Sequence, residues 1–307
     1  MNATPMTASH LISTRETRKH PHAWIGWLPL FVLPCAAVAF QAFLAPWVFM
    51  WLLAVAIFAG CKWQTWWEGR SAQGQTWLRS LAYLLLWPGM DAEEFLAPQV
   101  ERPGVRAREW FAALVKTLAG ALLMWAALHF VSFSHPLPAA WMGMLGIILF
   151  LHFGVFDLIS AAWRSAGIRA EPIMRQPWRS HSLGEFWGRR WNLGFRKLSH
   201  TLVFRPLQQR FGVVAGTLGA FLASGLIHDL VISVPARAGY GLPTAYFLIQ
   251  GCGVIAERSE RGKKLGLGHG TGGWLWTVFV TAAPLFILFH PWFALRVILP
   301  FLHAVIR

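Results

Sequence analysis

A chain of 307 residues that is 56% apolar and 13% charged departs in both respects from a soluble domain, where about 45–50% and about 25% are usual. Together with a mean hydropathy of +0.46 and 19 tryptophans, which collect at bilayer interfaces, this excludes a disordered chain and implies an all-α polytopic membrane protein. The formal net charge of +14 sorts by loop, so it argues for topology rather than for a nucleic-acid partner.

Residues 1–22 read as a cytoplasmic N-terminal tail, and 23–307 as a single membrane-embedded domain. Arg15, Arg18 and Lys19 precede the first apolar run as in a signal peptide. That run is too long, however, and a second follows almost at once, so it is expected to be retained. A spanning helix needs about 20 mostly apolar residues. The runs at 23–43, 46–63, 110–133, 139–163, 211–234, 242–257, 274–290 and 292–306 predict about eight spans. Leu44-Ala45-Pro46 and His290-Pro291 join two pairs of them into helical hairpins. A ninth stretch, 77–89, ends at Trp87-Pro88-Gly89, is short for a span, and reads as a re-entrant or interfacial piece.

With the N-terminus inside and eight spans, all of the 27 Lys and Arg except Lys116, Arg237 and Arg296 fall in cytoplasmic parts, which is the bias that the positive-inside rule requires. Counting 77–89 as a span would place the basic 164–210 segment outside. Cys35, Cys61 and Cys252 lie in or beside apolar runs without CxxC spacing, so the sequence supports neither a disulfide framework nor a zinc site. Cys61 has a palmitoylation context beside Lys62, against the blander reading of a membrane-helix cysteine.

The 164–210 segment is the most unusual part. Ser182-Leu183-Gly184-Glu185 fits the S-x-x-E capping box and predicts a helix from Leu183. Leu183, Phe186, Trp187, Trp191, Phe195 and Leu198 then recur at three- and four-residue steps as one apolar face, with Glu185, Arg189, Asn192 and Arg196 on another side. Such an amphipathic cytoplasmic helix serves equally as an anchor on anionic headgroups. In the following span, Gly212, Gly216, Ala220 and Ser224 form a row that lets a neighbouring helix approach. The next step of the row is His228, with Asp229 beside it, in an otherwise apolar or small run. An ionisable residue inside a span is costly, so it is either functional or satisfied by a neighbouring helix.

His152 and Asp157, five residues apart in the 139–163 span, do not share a face. Each reads as structural, with His152 near mid-membrane where it would line the same cavity as His228. His129 and His290 read as interfacial. Several chemistries fail on counting. The three aspartates, at 91, 157 and 229, leave no pair for Mg-diphosphate, and neither G-x-S-x-G nor H-E-x-x-H occurs. The glycine-rich run 266–273 joins two membrane helices rather than a strand and a helix, and reads as a loop.

Taken together, Ser182-Leu183-Gly184-Glu185-Phe186-Trp187-Gly188-Arg189-Arg190-Trp191-Asn192 and Ser224-Gly225-Leu226-Ile227-His228-Asp229 resemble the wax synthase-like branch of the membrane-bound O-acyltransferases (MBOAT). In that family an F-W-x-R-W-[NH]-like signature is followed some 30 to 40 residues later by S-G-x-x-H; here Asn192 and His228 stand 36 apart. Leu86-Trp87-Pro88-Gly89-Met90-Asp91 and Leu151-His152-Phe153-Gly154 also resemble that branch. The resemblance covers roughly residues 80–256, with its signature region at about 181–234.

The resemblance implies transfer of an acyl group from acyl-CoA, or another acyl thioester, to the hydroxyl of a lipophilic alcohol, without a permanently bound cofactor or a metal. It implies His228 as the catalytic histidine and Asn192 as its partner, with Arg189, Arg196, Arg190 and Trp191 toward the CoA end of the donor. A histidine suits the task, since a neutral imidazole can take the proton of a hydroxyl near neutral pH. A sugar, sterol or secondary-metabolite acceptor fits the same residues, as does a non-catalytic lipid carrier or scaffold. In this topology His228 lies about 25 Å along its helix from the cytoplasmic end, deeper than mid-membrane.

Overall fold

The computed structural model describes residues 23–70, 76–98, 104–131 and 134–306. The proposed tail and Arg307 lie outside them. The described residues fold into helices and short connecting turns, and within them each of the eight apolar runs is largely helical. Five are long and apolar enough to cross a membrane: Pro46–Gly69, Ala107–Val131, Pro136–Ser165, Leu193–Ala236 and Gly270–Leu288. Shorter apolar helices run over Trp24–Ala39, Trp77–Leu86 and Pro291–Ile306, and a further helix over Leu242–Arg258. Two of the long helices open on proline, at Pro46 and Pro136, where the missing N–H costs no hydrogen bond and the ring pre-sets φ.

The 77–89 stretch is the short helix Trp77–Leu86, started by Thr76, whose hydroxyl accepts from Arg79 N. It is followed by extended Trp87. Two of the three cations that fall outside the predicted cytoplasmic parts find partners here. Lys116 is ion-paired to Asp157 across two adjacent helices, and Arg296 donates to the carbonyl of Ala236 at 3.0 Å. Asp157 therefore has the structural role expected of it. His290, at the start of the last helix, is fully buried within the protein, and its Nδ1 accepts from Phe293 N at 3.2 Å, so the histidine caps that helix.

The continuous amphipathic helix expected from Leu183 to Leu198 does not form. Helical turns over 183–190 end at Trp191, which is extended, and Asn192 takes a left-handed conformation with φ 45° and ψ 53°. A new helical segment starts after it and runs to 211. The apolar spacing survives the break because the two short pieces each bury the same kind of side chain, but they are not one face of one rod.

A second break decides where that piece goes. Gly212 has φ 86° and ψ 173° within the Arg205–Ala236 helix, a conformation open to glycine and not to side chains that carry a Cβ. The chain reverses there, and residues 196–211 pack back along 213–236. A Cβ on Gly216 would stand 2.9 Å from the Phe204 carbonyl oxygen. The small-residue row thus receives the chain's own preceding segment, and 193–211 is a helical arm folded back on 213–236. Gly216→Leu should pry the arm loose, and the purified protein in detergent should unfold at a clearly lower temperature than the native chain. An unchanged midpoint would contradict the hairpin.

Candidate active site

The fold-back brings the two halves of the signature together. Because 196–211 runs antiparallel to 213–236, Asn192 at the far end of the arm comes level with the later part of the 213–236 helix. There Asn192 and His228 line one cavity of about 350 Å³, within the range of small-molecule sites. Its walls include Trp187, Trp191, Phe195, Phe204, Phe221 and Phe247, and its polar lining includes Arg196, Ser199, His200 and Arg258. It reaches from Thr217 to His228 along one helix, about 16 Å at 1.5 Å per residue.

The His228 ring is fixed on two sides. Nδ1 donates to the Ser224 carbonyl at 2.7 Å, and since a carbonyl only accepts, the proton must be on Nδ1. The neutral ring then carries its lone pair on Nε2. The imidazole lies 4.4 Å, centroid to centroid, from the buried ring of Phe247. Asp229 points elsewhere, as adjacent helical residues must. One carboxylate oxygen accepts from Ser233 Oγ (2.8 Å) and Gly241 N (2.9 Å), and the other from Thr244 N (3.1 Å) and the Thr244 hydroxyl. The carboxylate so satisfies free N–H groups at the start of the Leu242–Arg258 helix, where its charge also complements the helix dipole. That helix carries Phe247, so Asp229 positions the wall against which His228 rests. Asp229→Ala leaves these donors without an acceptor and should destabilise the protein by roughly 2–4 kcal/mol, read as a drop in thermal midpoint. Retention of the native midpoint would remove this role.

The Asn192 turn is held by backbone bonds on both sides. Arg175 N donates to Arg190 O (2.8 Å) and Leu193 N to Ile173 O (2.9 Å), while Asn192 N meets Met174 Sδ at 3.2 Å. Met90 N donates to Gly194 O at 3.2 Å, and buried Lys62 donates to Gly89 O at 2.6 Å, its Nζ 3.3 Å from the centroid of the Tyr83 ring. The Trp87-Pro88-Gly89-Met90-Asp91 segment is thus the support on which the Asn192 turn rests.

At the start of the signature, Ser182 Oγ accepts from Glu185 N at 2.9 Å, as the capping box requires. Glu185 reaches back to His181 N at 2.8 Å, one residue earlier than the motif predicts. Leu183 N and Gly184 N donate to Glu257 at 2.7 and 2.8 Å, a cap supplied from a distant helix. The glycine-rich run folds beneath this start: Gly266, Gly268 and Gly270 take positive φ, and His181 Nδ1 lies 3.0 Å from Gly270 O.

Of the cations expected near the donor, Arg196 and the aromatic Trp191 line the cavity and Arg189 and Arg190 do not. Arg189 is exposed. Arg190 is held by Glu185 at 2.6 Å and by the Arg175 carbonyl at 3.2 Å, so its guanidinium braces the turn. His152 is not among the lining residues either. Sequence reasoning missed Arg258, which lines the cavity with Nη2 3.2 Å from where a Cβ on Gly184 would stand. It also missed Phe247. Nothing local to either residue marks it, since both come to the site through packing between helices.

Residues 170–249 match the sequence model of the membrane bound O-acyl transferase family, a stretch that contains both Asn192 and His228. The chain is therefore similar to the membrane bound O-acyl transferase family over 80 of its 307 residues. It is 32% identical over 103 residues to the probable long-chain-alcohol O-fatty-acyltransferase 7 of Arabidopsis thaliana, covering 30% of each chain. It is 30% identical over 100 residues to the Arabidopsis acyl-CoA–sterol O-acyltransferase 1, 28% of each chain. With the long-chain-alcohol O-fatty-acyltransferase of Simmondsia chinensis it shares 27% over 133 residues, 36% of this chain and 38% of the relative. These matches span about a third of the relatives' length.

Proposed function

We propose that this protein is a membrane-bound O-acyltransferase that moves an acyl group from acyl-CoA to the hydroxyl of a lipophilic alcohol, giving a wax-type ester. The observation that carries the reading is the convergence of Asn192 and His228 on one aromatic-walled cavity, with the histidine proton tied to Ser224 O. His228 Nε2 takes the acceptor's hydroxyl proton as its oxygen attacks the thioester carbonyl. A C–O bond forms, the carbonyl oxygen becomes an oxyanion, and the Asn192 amide donates to it. Collapse breaks the C–S bond, and the leaving thiolate takes the proton back from the imidazolium, so the proton balance closes without a metal. The acyl chain and the acceptor occupy the apolar walls. Arg196 and Arg258 supply the positive charge that the phosphates of CoA call for. The cytoplasmic side, where CoA is available, is taken as the face bearing the 164–175 basic residues, with the N-terminus on the same side.

A sterol acceptor is the second reading, favoured by the similarity to an acyl-CoA–sterol O-acyltransferase. The test is ester formation by membranes containing the full chain, supplied with labelled acyl-CoA and separately with long-chain alcohols, sterols and sugars. Ester with the alcohols supports the proposal, ester with sterols alone replaces the acceptor, and no ester with any of them overturns it.

A further inference from the structure

A second cavity, of about 390 Å³, lies at the opposite end of the bundle from the basic face. The Pro46–Gly69 helix fixes the two ends. Pro46 lines this cavity, whereas Gly69 packs against Ala92 about 35 Å away at 1.5 Å per residue. Of the 27 basic residues, Lys116, Arg237 and Arg296 are the ones that escape the predicted cytoplasmic segments. Lys116 is neutralised by Asp157. The other two, far apart in sequence, meet here: Arg237 and Arg296 both line the cavity, over a floor that includes Leu44, Pro46 and Phe49. Gln41 is a further polar lining residue, and no acidic side chain is among them. Arg296 spends one N–H on the Ala236 carbonyl, which leaves its other donors available. Arg237 makes no ion pair among the described residues.

A separate observation singles out Arg237. The Arg205–Ala236 helix ends in a Schellman turn, with Ala238 N donating to Ser233 O (3.3 Å) and Arg237 N to Val234 O (3.1 Å). Its left-handed position, φ 50° and ψ 38°, is one that glycine usually fills. An arginine there is held in a disfavoured conformation, and strain of this kind points toward a use for the side chain.

We infer that this cavity binds the anionic headgroup of a membrane lipid, with the Arg237 and Arg296 guanidiniums on the headgroup and the acyl chains against the Leu44 and Phe49 floor. Two planar guanidiniums suit a phosphate or carboxylate, and the mixed cationic and apolar lining suits an amphiphile rather than a free ion. The inference stands independently of the acyl-transfer reading.

The test uses the full chain in nanodiscs of phosphatidylcholine mixed with phosphatidylglycerol, followed by extraction and quantification of lipid retained after detergent delipidation. The native protein should retain phosphatidylglycerol over phosphatidylcholine by about tenfold, the ratio that a moderate difference in binding energy gives. Arg237→Gly should bring that ratio close to one while keeping or raising the thermal midpoint, because glycine relieves the strained turn. Arg296→Gln should also lower it, and Arg261→Gln, on the other face, should leave it alone. Lysophosphatidylglycerol should displace the retained lipid, and inorganic phosphate should not. No preference in the native protein, or an unchanged ratio in Arg237→Gly, overturns the proposal. Displacement by inorganic phosphate alone would make the site one for a free anion and overturn the lipid assignment.

Discussion

His228→Ala is expected to lower ester formation by roughly 10²–10⁴-fold, the span that a positioned general base contributes, while the protein still inserts and purifies at its native midpoint. The separation of activity from folding follows from what the ring touches. Its hydrogen bond goes to Ser224 O one turn back on the same helix, so removing it breaks no hydrogen bond between helices. Its ring contact with Phe247 is lost, but Asp229 still holds the Leu242–Arg258 helix in place through Gly241 and Thr244. His228→Gln keeps a polar side chain of similar reach without a usable base, and should be nearly as inactive. Turnover within a factor of three of native by either variant would remove His228 from the chemistry. The paired measurement is the Asp229→Ala protein, in which the order reverses and stability is lost first.

The contrast between these neighbours shows what a sequence can and cannot carry. Among the described residues hydropathy located the five helices long and apolar enough to cross a membrane, because a run of about 20 apolar residues has few other fates. The candidate pair Asn192 and His228 was legible as a motif. The way they meet was not, because it depends on two backbone reversals within an apparently regular pattern. The three- and four-residue spacing from Leu183 to Leu198 reads as one helix, yet Asn192 breaks it. The residue type is the available signal, since asparagine is among the few that enter the left-handed region at modest cost. Gly212 was read as the first of a row of small residues, when its role is to reverse the chain. The arm it creates packs on Gly216, which the row did anticipate. Arg258 and Glu257 reach the signature across more than 70 residues of sequence, and His290 is buried by helices that its own neighbours do not predict. Contacts of that kind are set by packing, and no local pattern encodes them.

Asn192 offers the sharpest test because it combines a side-chain role with a backbone one, and two substitutions separate them. Asn192→Gly keeps access to φ 45° and ψ 53° and removes only the amide. Removal of a single oxyanion donor costs about 10²–10³ in turnover, so this variant should lose that much in kcat, with little change in the apparent affinity for acyl-CoA and a thermal midpoint near native. Asn192→Ala removes the amide and also forces a Cβ into the left-handed region, which costs roughly 1–2 kcal/mol. It should be as inactive as the glycine variant and also less stable. The strain has nowhere to relax, because the turn is fixed by Leu193 N on Ile173 O and by Met90 N on Gly194 O. Kinetics on both proteins, beside their unfolding midpoints, decide the matter. If Asn192→Gly retains native turnover, the amide takes no part in the reaction and the residue is kept for its backbone alone. If the glycine variant is inactive and the alanine variant is equally inactive but no less stable, the left-handed turn is not the conformation that Asn192 adopts in the working protein.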